Sequence, residues 1–173
     1  ARETPDGVVV SSRRLVSWLR EICYDKRIST VPGIKGSGAV RKKIPNFSFF
    51  GPNEFIKGLL SGMFSGDGYF VNVHPKNGRT KPNLKIGFGT VSKPLAHGLL
   101  ELLSLMGIFA KIRKKPYTYK GLQKESWEIL VTGEYAEKLL SQINMVGKNK
   151  LVERFSQKDF FDFVVKDKLK HHE

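Results

Sequence analysis

Three glycines, Gly58, Gly62 and Gly66, recur at every fourth position through the segment Phe55-Ile-Lys-Gly-Leu-Leu-Ser-Gly-Met-Phe-Ser-Gly-Asp-Gly68. In an α-helix that spacing lines them along a single stripe. Each glycine costs about 1 kcal/mol relative to alanine in a helix interior, so the stripe makes sense where another backbone must come close. The same spacing serves membrane helix pairs, but this segment is too short for a span and carries Lys57. Two partners remain: a second copy of the helix in a water-soluble interface, or the chain's own sheet. A second copy would meet Gly58, Leu59, Gly62, Met63 and Gly66. Asp67 follows where the helix should break, between Gly66 and Gly68. Taken alone, Asp-Gly is a turn signal. Two helices packed along their glycines would, however, bring two Asp67 carboxylates together. Such a pair repels unless a divalent cation sits beside it, and oxygen donors suit magnesium.

The rest of the pattern surrounds that helix with an α+β unit. Asn53 is a candidate N-cap for a helix over about Glu54 to Ser65. Strands are expected at Tyr69–His74 and Leu84–Thr90, joined by a polar turn. Ser92 caps a helix over Lys93–Met106, and Gly107 stops it. Strands at Phe109–Lys115 and Ser126–Thr132 flank an aromatic, basic turn, and a helix over Glu134–Gln142 closes the unit. The order αββαββα implies a four-stranded antiparallel sheet. Upstream, Val8–Val10 reads as a strand, and Ser11 or Ser12 caps a helix with the apolar stripe Leu15, Trp18, Leu19 and Ile22. The loop-like stretch Lys26–Pro45 ends in Arg41-Lys42-Lys43. The expected organisation is a strand, helix and basic linker over 1–50, the αββαββα unit over 51–155, and a helical tail over 156–173.

Charge narrows the partners. Thirty Lys and Arg against sixteen Asp and Glu leave a net charge of +14. A surplus of that size points to a polyanion, and nucleic acid fits because each neutralised phosphate releases a counterion. The single cysteine, Cys23, rules out an internal disulfide, and no apolar run approaches the roughly 20 residues of a membrane span. These features suggest an intracellular chain without a membrane partner. The opening without methionine, almost directly into Val8-Val9-Val10, reads as part of something longer.

The segment Leu60-Ser-Gly-Met-Phe-Ser-Gly-Asp-Gly68 resembles the nine-residue signature of the LAGLIDADG homing endonucleases. It keeps the first leucine, the packing glycine, a small residue before the aspartate and the final Asp-Gly. Ser65 departs from the pattern by replacing the signature's first aspartate. That position does not ligate metal in the family, so the implied activity survives. The element order from about Asn53 to Phe155 is also similar to the family's. The resemblance implies that Asp67, helped by the Gly66 carbonyl, ligates Mg2+ or another divalent cation such as Mn2+. It implies a basic residue near the scissile phosphate, best matched by Lys148 with Lys150 second, and a water-orienting polar residue at Ser92.

In the family the sheet forms a saddle over double-stranded DNA. That role would fall here to Asn72 and His74 on the first strand, Lys76 and Arg79 in the turn, and Lys85, Thr90 and Lys93 around the second strand. Lys111, Arg113, Lys115, Tyr117, Tyr119 and Lys120 would serve from the second strand pair. There, alternation separates Lys111 and Arg113 from Ala110 and Ile112. Residues 8–19 resemble the end of a preceding LAGLIDADG repeat. Cutting both strands needs two motif helices, so the chain is expected to act as a homodimer or with a missing first-repeat half. The expectation is a site-specific, metal-dependent DNA endonuclease of intein origin. The alternatives are a non-catalytic DNA- or RNA-binding relative, of maturase or regulator type, and a fragment of a two-repeat intein endonuclease.

Overall fold

The computed structural model of the chain describes residues 2–4, 7–9, 11–28, 37–73, 83–119 and 121–146. Strands β1 (Arg2–Thr4) and β2 (Gly7–Val9) pair with each other and not with the main sheet. Helix α1 (Arg13–Cys23) follows, with Ser12 as its N-cap accepting the Leu15 N–H at 3.2 Å. None of its residues is buried, and Leu15, Val16, Trp18 and Leu19 all stand exposed. Two 3-10 helices, Ser37–Arg41 and Asn46–Phe50, lead onward. This stretch is not a detached linker. Ile44 is buried in the main core, and a methyl group at Gly98 would come within 2.8 Å of its Cγ1. A boundary at residue 50 therefore cuts through packed structure, which the lone apolar residue between Lys43 and Pro45 did not signal.

Helix α2 (Asn53–Asp67) runs past Ser65, so Asp67 belongs to its last turn instead of following a break. Pro52 occupies the N-cap position without a side-chain bond, and Asn53 is the first helical residue, not the cap. The unit continues with β3 (Gly68–Val73), β4 (Asn83–Thr90), α3 (Lys93–Leu105), β5 (Ala110–Tyr119), β6 (Leu122–Thr132) and α4 (Glu134–Gln142). The four strands lie in the order β3-β4-β6-β5, every neighbour antiparallel. The expected αββαββα order is the observed one. The β5–β6 hairpin is longer than its apolar pattern suggests, because pairing continues out to Tyr119 opposite Leu122. Tyr117 and Tyr119 are thus strand residues, and Gly121 turns the chain at φ +75°.

One face of the sheet holds the core. Ile86 and Phe88 of β4, Ala110 of β5, and Ile129 and Val131 of β6 are buried there. Helix α2 covers it with Ile56, Leu60 and Phe64, spaced four apart on one side of the helix. The Phe64 ring meets Phe88 edge-on with centroids 5.8 Å apart, the arrangement favoured by aromatic quadrupoles. Helix α3 adds Leu99, Leu102 and Leu103. Asn144 N–H donates to Ser61 Oγ at 3.1 Å, tying the end of α4 to α2. Strand alternation puts Tyr69, Lys85, Gly87, Lys111, Arg113 and Glu128 on the opposite face. Among the described residues no helix is long and apolar enough to cross a membrane.

Candidate metal and nucleic-acid interface

Burying Ile56, Leu60 and Phe64 against the sheet turns the glycine stripe of α2 away from it. Gly58, Gly62 and Gly66 are exposed, and a Cβ at any of them would meet nothing within 4 Å. Of the two partners the spacing allowed, the chain's own sheet is excluded. Leu59 and Met63 flank the stripe and are partly buried against the core.

The stripe leads to Asp67, exposed in the last turn of α2. A helix carries partial negative charge at this end, and no basic residue in the final turn offsets it. A carboxylate placed there deepens a potential that attracts cations. Among the described residues no group of three or more His, Cys, Asp or Glu could hold a metal. The donors nevertheless fit magnesium in kind, since that ion takes one or two carboxylates and fills its remaining positions with water and substrate phosphate. One chain supplies one such carboxylate.

Asp67 also borders a cleft of about 580 Å³ between α1 and α2. Val16, Leu19 and Arg20 of α1 line it, with Gly62, Met63 and Gly66 of α2 and with Lys42 and Lys43. The end of α1 is tied in place there, because Lys43 N–H donates to the Cys23 carbonyl at 2.8 Å. Burial pushes the Cys23 thiol above its ordinary pKa, partly offset by the charge of Lys43. Sequence reasoning placed Lys42 and Lys43 at the end of a linker and Arg20 on a preceding helix. Only the backward fold of residues 37–50 puts all three cations around the cleft that holds Asp67.

Ser92 has a different task from the one the resemblance implied. It is fully buried, donates its hydroxyl hydrogen to the Lys42 carbonyl, and accepts the Leu95 N–H at 3.3 Å. Its hydrogen is committed to the Lys42 carbonyl and one lone pair to capping α3, in a position with no exposure to solvent. Thr90 and Lys93 are also displaced from the expected DNA face. Thr90 stands opposite Trp127 in register, on the helix-covered side, and its Oγ1 accepts the Ser92 N–H at 3.1 Å. Lys93 holds its ammonium 5.6 Å from the Trp127 ring centroid. The reason is periodicity: Thr90 falls in step with Ile86 and Phe88, and Lys85 does not.

The open face retains Lys85, Lys111, Arg113, Lys115 and Tyr117 by the same alternation. His74, Lys76, Arg79, Lys120, Lys148 and Lys150 lie outside the described residues, as do the side chains of Asn72 and Tyr119 and the tail over 156–173. Within this basic face sits a carboxylate that sequence reasoning passed over. Glu128 is buried at 6% exposure and accepts bonds from the Tyr69 hydroxyl on Oε1 and from Arg113 Nε on Oε2. Lys115 Nζ lies 3.7 Å from Oε1. Tyr69 reaches it by lying across Gly87, where any Cβ would run into the phenol ring. Burial alone would raise the Glu128 carboxyl, but the bonds from Arg113 and Tyr69 and the nearby positive charges outweigh it and hold it below its usual value. Burial, then the bond to Glu128 and its charge, push the Tyr69 phenol up to about 12. The triad therefore has a fixed protonation at neutral pH, with an ionised acceptor and two donors. The one signal in the sequence was a glutamate at a wet-face position of a strand opposite a basic one, which needs the register to be seen.

Residues 54–144 match the family described as the LAGLIDADG-like domain. An uncharacterized protein of Methanocaldococcus jannaschii is 40% identical over 79 residues, 46% of this chain and 8% of that protein. The DNA-directed RNA polymerase subunit Rpo1C of the same organism is 31% identical over 115 residues, 66% of this chain and 11% of the subunit. The chain thus spans about a tenth of the length of these relatives.

Proposed function

We propose that this chain, which belongs to the LAGLIDADG family, supplies half of a site-specific endonuclease that hydrolyses double-stranded DNA with magnesium or manganese. The observation that carries this reading is the exposed carboxylate of Asp67 at the end of a helix whose glycine stripe is open. A second copy of the helix, or the helix of a first-repeat half, would pack along Gly58, Gly62 and Gly66 and bring a second aspartate alongside. Asp67 and the Gly66 carbonyl would hold the metal, which when bound polarises the phosphate and lowers the pKa of water. Arg20, Lys42 and Lys43 border the same cleft and would neutralise the phosphate beside it. Lys148, which lies outside the described residues, would act near the scissile phosphate. The open sheet face would lie in the major groove, which admits a two-stranded ribbon.

The relatives favour an inserted origin. A matching stretch that makes up about a tenth of a polymerase subunit and of a second long protein is what an intein-borne module would look like. The test is cleavage of a plasmid carrying the uninterrupted host site, with magnesium and with chelator, beside an Asp67→Asn protein. We expect metal-dependent cutting by the native chain, and binding without cutting by Asp67→Asn. Binding by the native chain with no metal-dependent nicking would overturn the reading of a self-sufficient homodimeric nuclease. Equal cutting by Asp67→Asn would remove Asp67 from the chemistry.

A further inference from the structure

A buried carboxylate in the middle of a basic sheet face is costly if that face simply holds a polyanion, because Glu128 repels the phosphates that the lysines around it attract. Its burial is not explained by a need to neutralise a buried cation. The Arg113 side chain is 60% exposed, and it is the Glu128 side chain, at 9%, that lies inside. The carboxylate is instead built in. Oε1 is taken by the Tyr69 hydroxyl and Oε2 by Arg113 Nε. Tyr69 in turn is seated over Gly87. The arginine is engaged through Nε alone; among the described residues no partner is found for Nη1 or Nη2. A guanidinium has five N–H donors in a rigid plane. With Nε–H fixed, the four on Nη1 and Nη2 keep a set orientation.

We infer that Arg113, oriented by Glu128 and Tyr69, is a fork that reads a guanine in the major groove of the bound DNA. The inference rests on the DNA-binding reading above. Paired donors at fixed spacing match O6 and N7 of guanine, the commonest specific arginine contact. A phosphate can also take such a fork, but two features favour the base. Phosphate contacts are served by charge, which the exposed Lys111 supplies without any buttress. Pairing with Glu128 also cancels the charge of Arg113, which weakens it toward an anion and leaves its donors intact for a neutral base. Glu128 and Tyr69 are positioning residues; Arg113 touches the base.

The experiment is selection of bound sequences from randomised duplex DNA by the full chain, read position by position. Arg113→Lys keeps the charge and loses the fork, and thermal melting of each variant checks that it folds. The native chain should show a guanine preference of about 5- to 150-fold at one position per copy, the range for one bidentate pair. Arg113→Lys should flatten that position alone, lowering affinity for the guanine-bearing duplex by about the same 5- to 150-fold and leaving affinity for duplexes without that guanine unchanged. Glu128→Gln and Tyr69→Phe should weaken the preference at that same position by part of this range, leaving affinity for duplexes without that guanine unchanged. Arg113→Lys with every position unchanged would overturn the fork, and a uniform loss across all sequences would make Arg113 a phosphate contact and overturn it equally. A native chain that retains no duplex DNA would overturn the DNA reading itself, a result separable from the loss of one position.

Discussion

Replacing Gly58 and Gly62 by alanine should stabilise the isolated chain and abolish the proposed pairing along the stripe. At both positions an added Cβ meets nothing within 4 Å beyond its own helix, so no packing among the described residues resists the methyl groups. Helix propensity then acts alone, at about 0.8–1.0 kcal/mol for each Gly→Ala change in a helix interior. Part of that gain comes from the reduced freedom of the unfolded chain. If the two helix-propensity gains simply sum, they amount to about 1.5–2 kcal/mol. In a chain of 173 residues each kcal/mol moves Tm by about 2–4 °C, for a rise of roughly 3–8 °C. The sign reverses where two helices pack along the stripe. There each methyl forces the backbones apart, at about 1–3 kcal/mol per clash. Dilute samples report the monomer, and concentrated ones report the assembly, because association raises apparent stability by mass action. Melting in dilute solution, sedimentation at high concentration and plasmid cleavage should therefore give a higher Tm, a lost dimer and lost cutting. A lower Tm in dilute solution would refute the open stripe. Unchanged association and cutting would refute its use as the pairing surface.

Ser92→Ala should cost about 1.5–2.5 kcal/mol in urea unfolding, from the lost N-cap and the Lys42 carbonyl left without its donor. Its cleavage rate should hold wherever the variant is folded, and a rate loss in fully folded protein would return a chemical role to Ser92. The Glu128 triad predicts a pH signature of definite sign. Its folded pKa is depressed, so its stabilisation is present above the unfolded carboxylate value of about 4.3 and is lost as pH falls through the lower folded value. With Arg113 largely in solvent, about 1–2 kcal/mol is expected. Urea stabilities of the native chain and Glu128→Gln should differ at pH 7 and converge in acid, and parallel curves down to acid would refute the link. Tyr69 has a raised pKa, so its contribution is present below the ordinary tyrosine value of about 10 and is lost as pH rises through about 12. An ultraviolet titration should show one late phenol that Glu128→Gln brings earlier.

How far the chain could be read without its fold depended on whether a feature was local. The helix Glu134–Gln142 was found at its true ends, and the order of helices and strands emerged from apolar periodicity, because burying one face of each element imposes that period. The family signature was legible for the same reason: its glycines, its apolar positions and Asp67 are all set within one helix. The tertiary structure decided matters between elements. It turned Thr90 to the helix side, spent the Ser92 hydroxyl on Lys42, and drew Ile44 into the core across the expected boundary. It also paired Arg113 with a glutamate 15 residues later.

By itself, then, the sequence determined which helix carries the aspartate and that three glycines share one stripe of it. The fold alone decided that the glycine stripe of α2 does not serve packing on the chain's own sheet, because it faces away once Ile56, Leu60 and Phe64 meet that sheet. A periodic pattern says that a face exists. Which neighbour covers it, and which donor meets which carboxylate, is set by strand register and by the return of distant segments, and neither is written in any one stretch of residues.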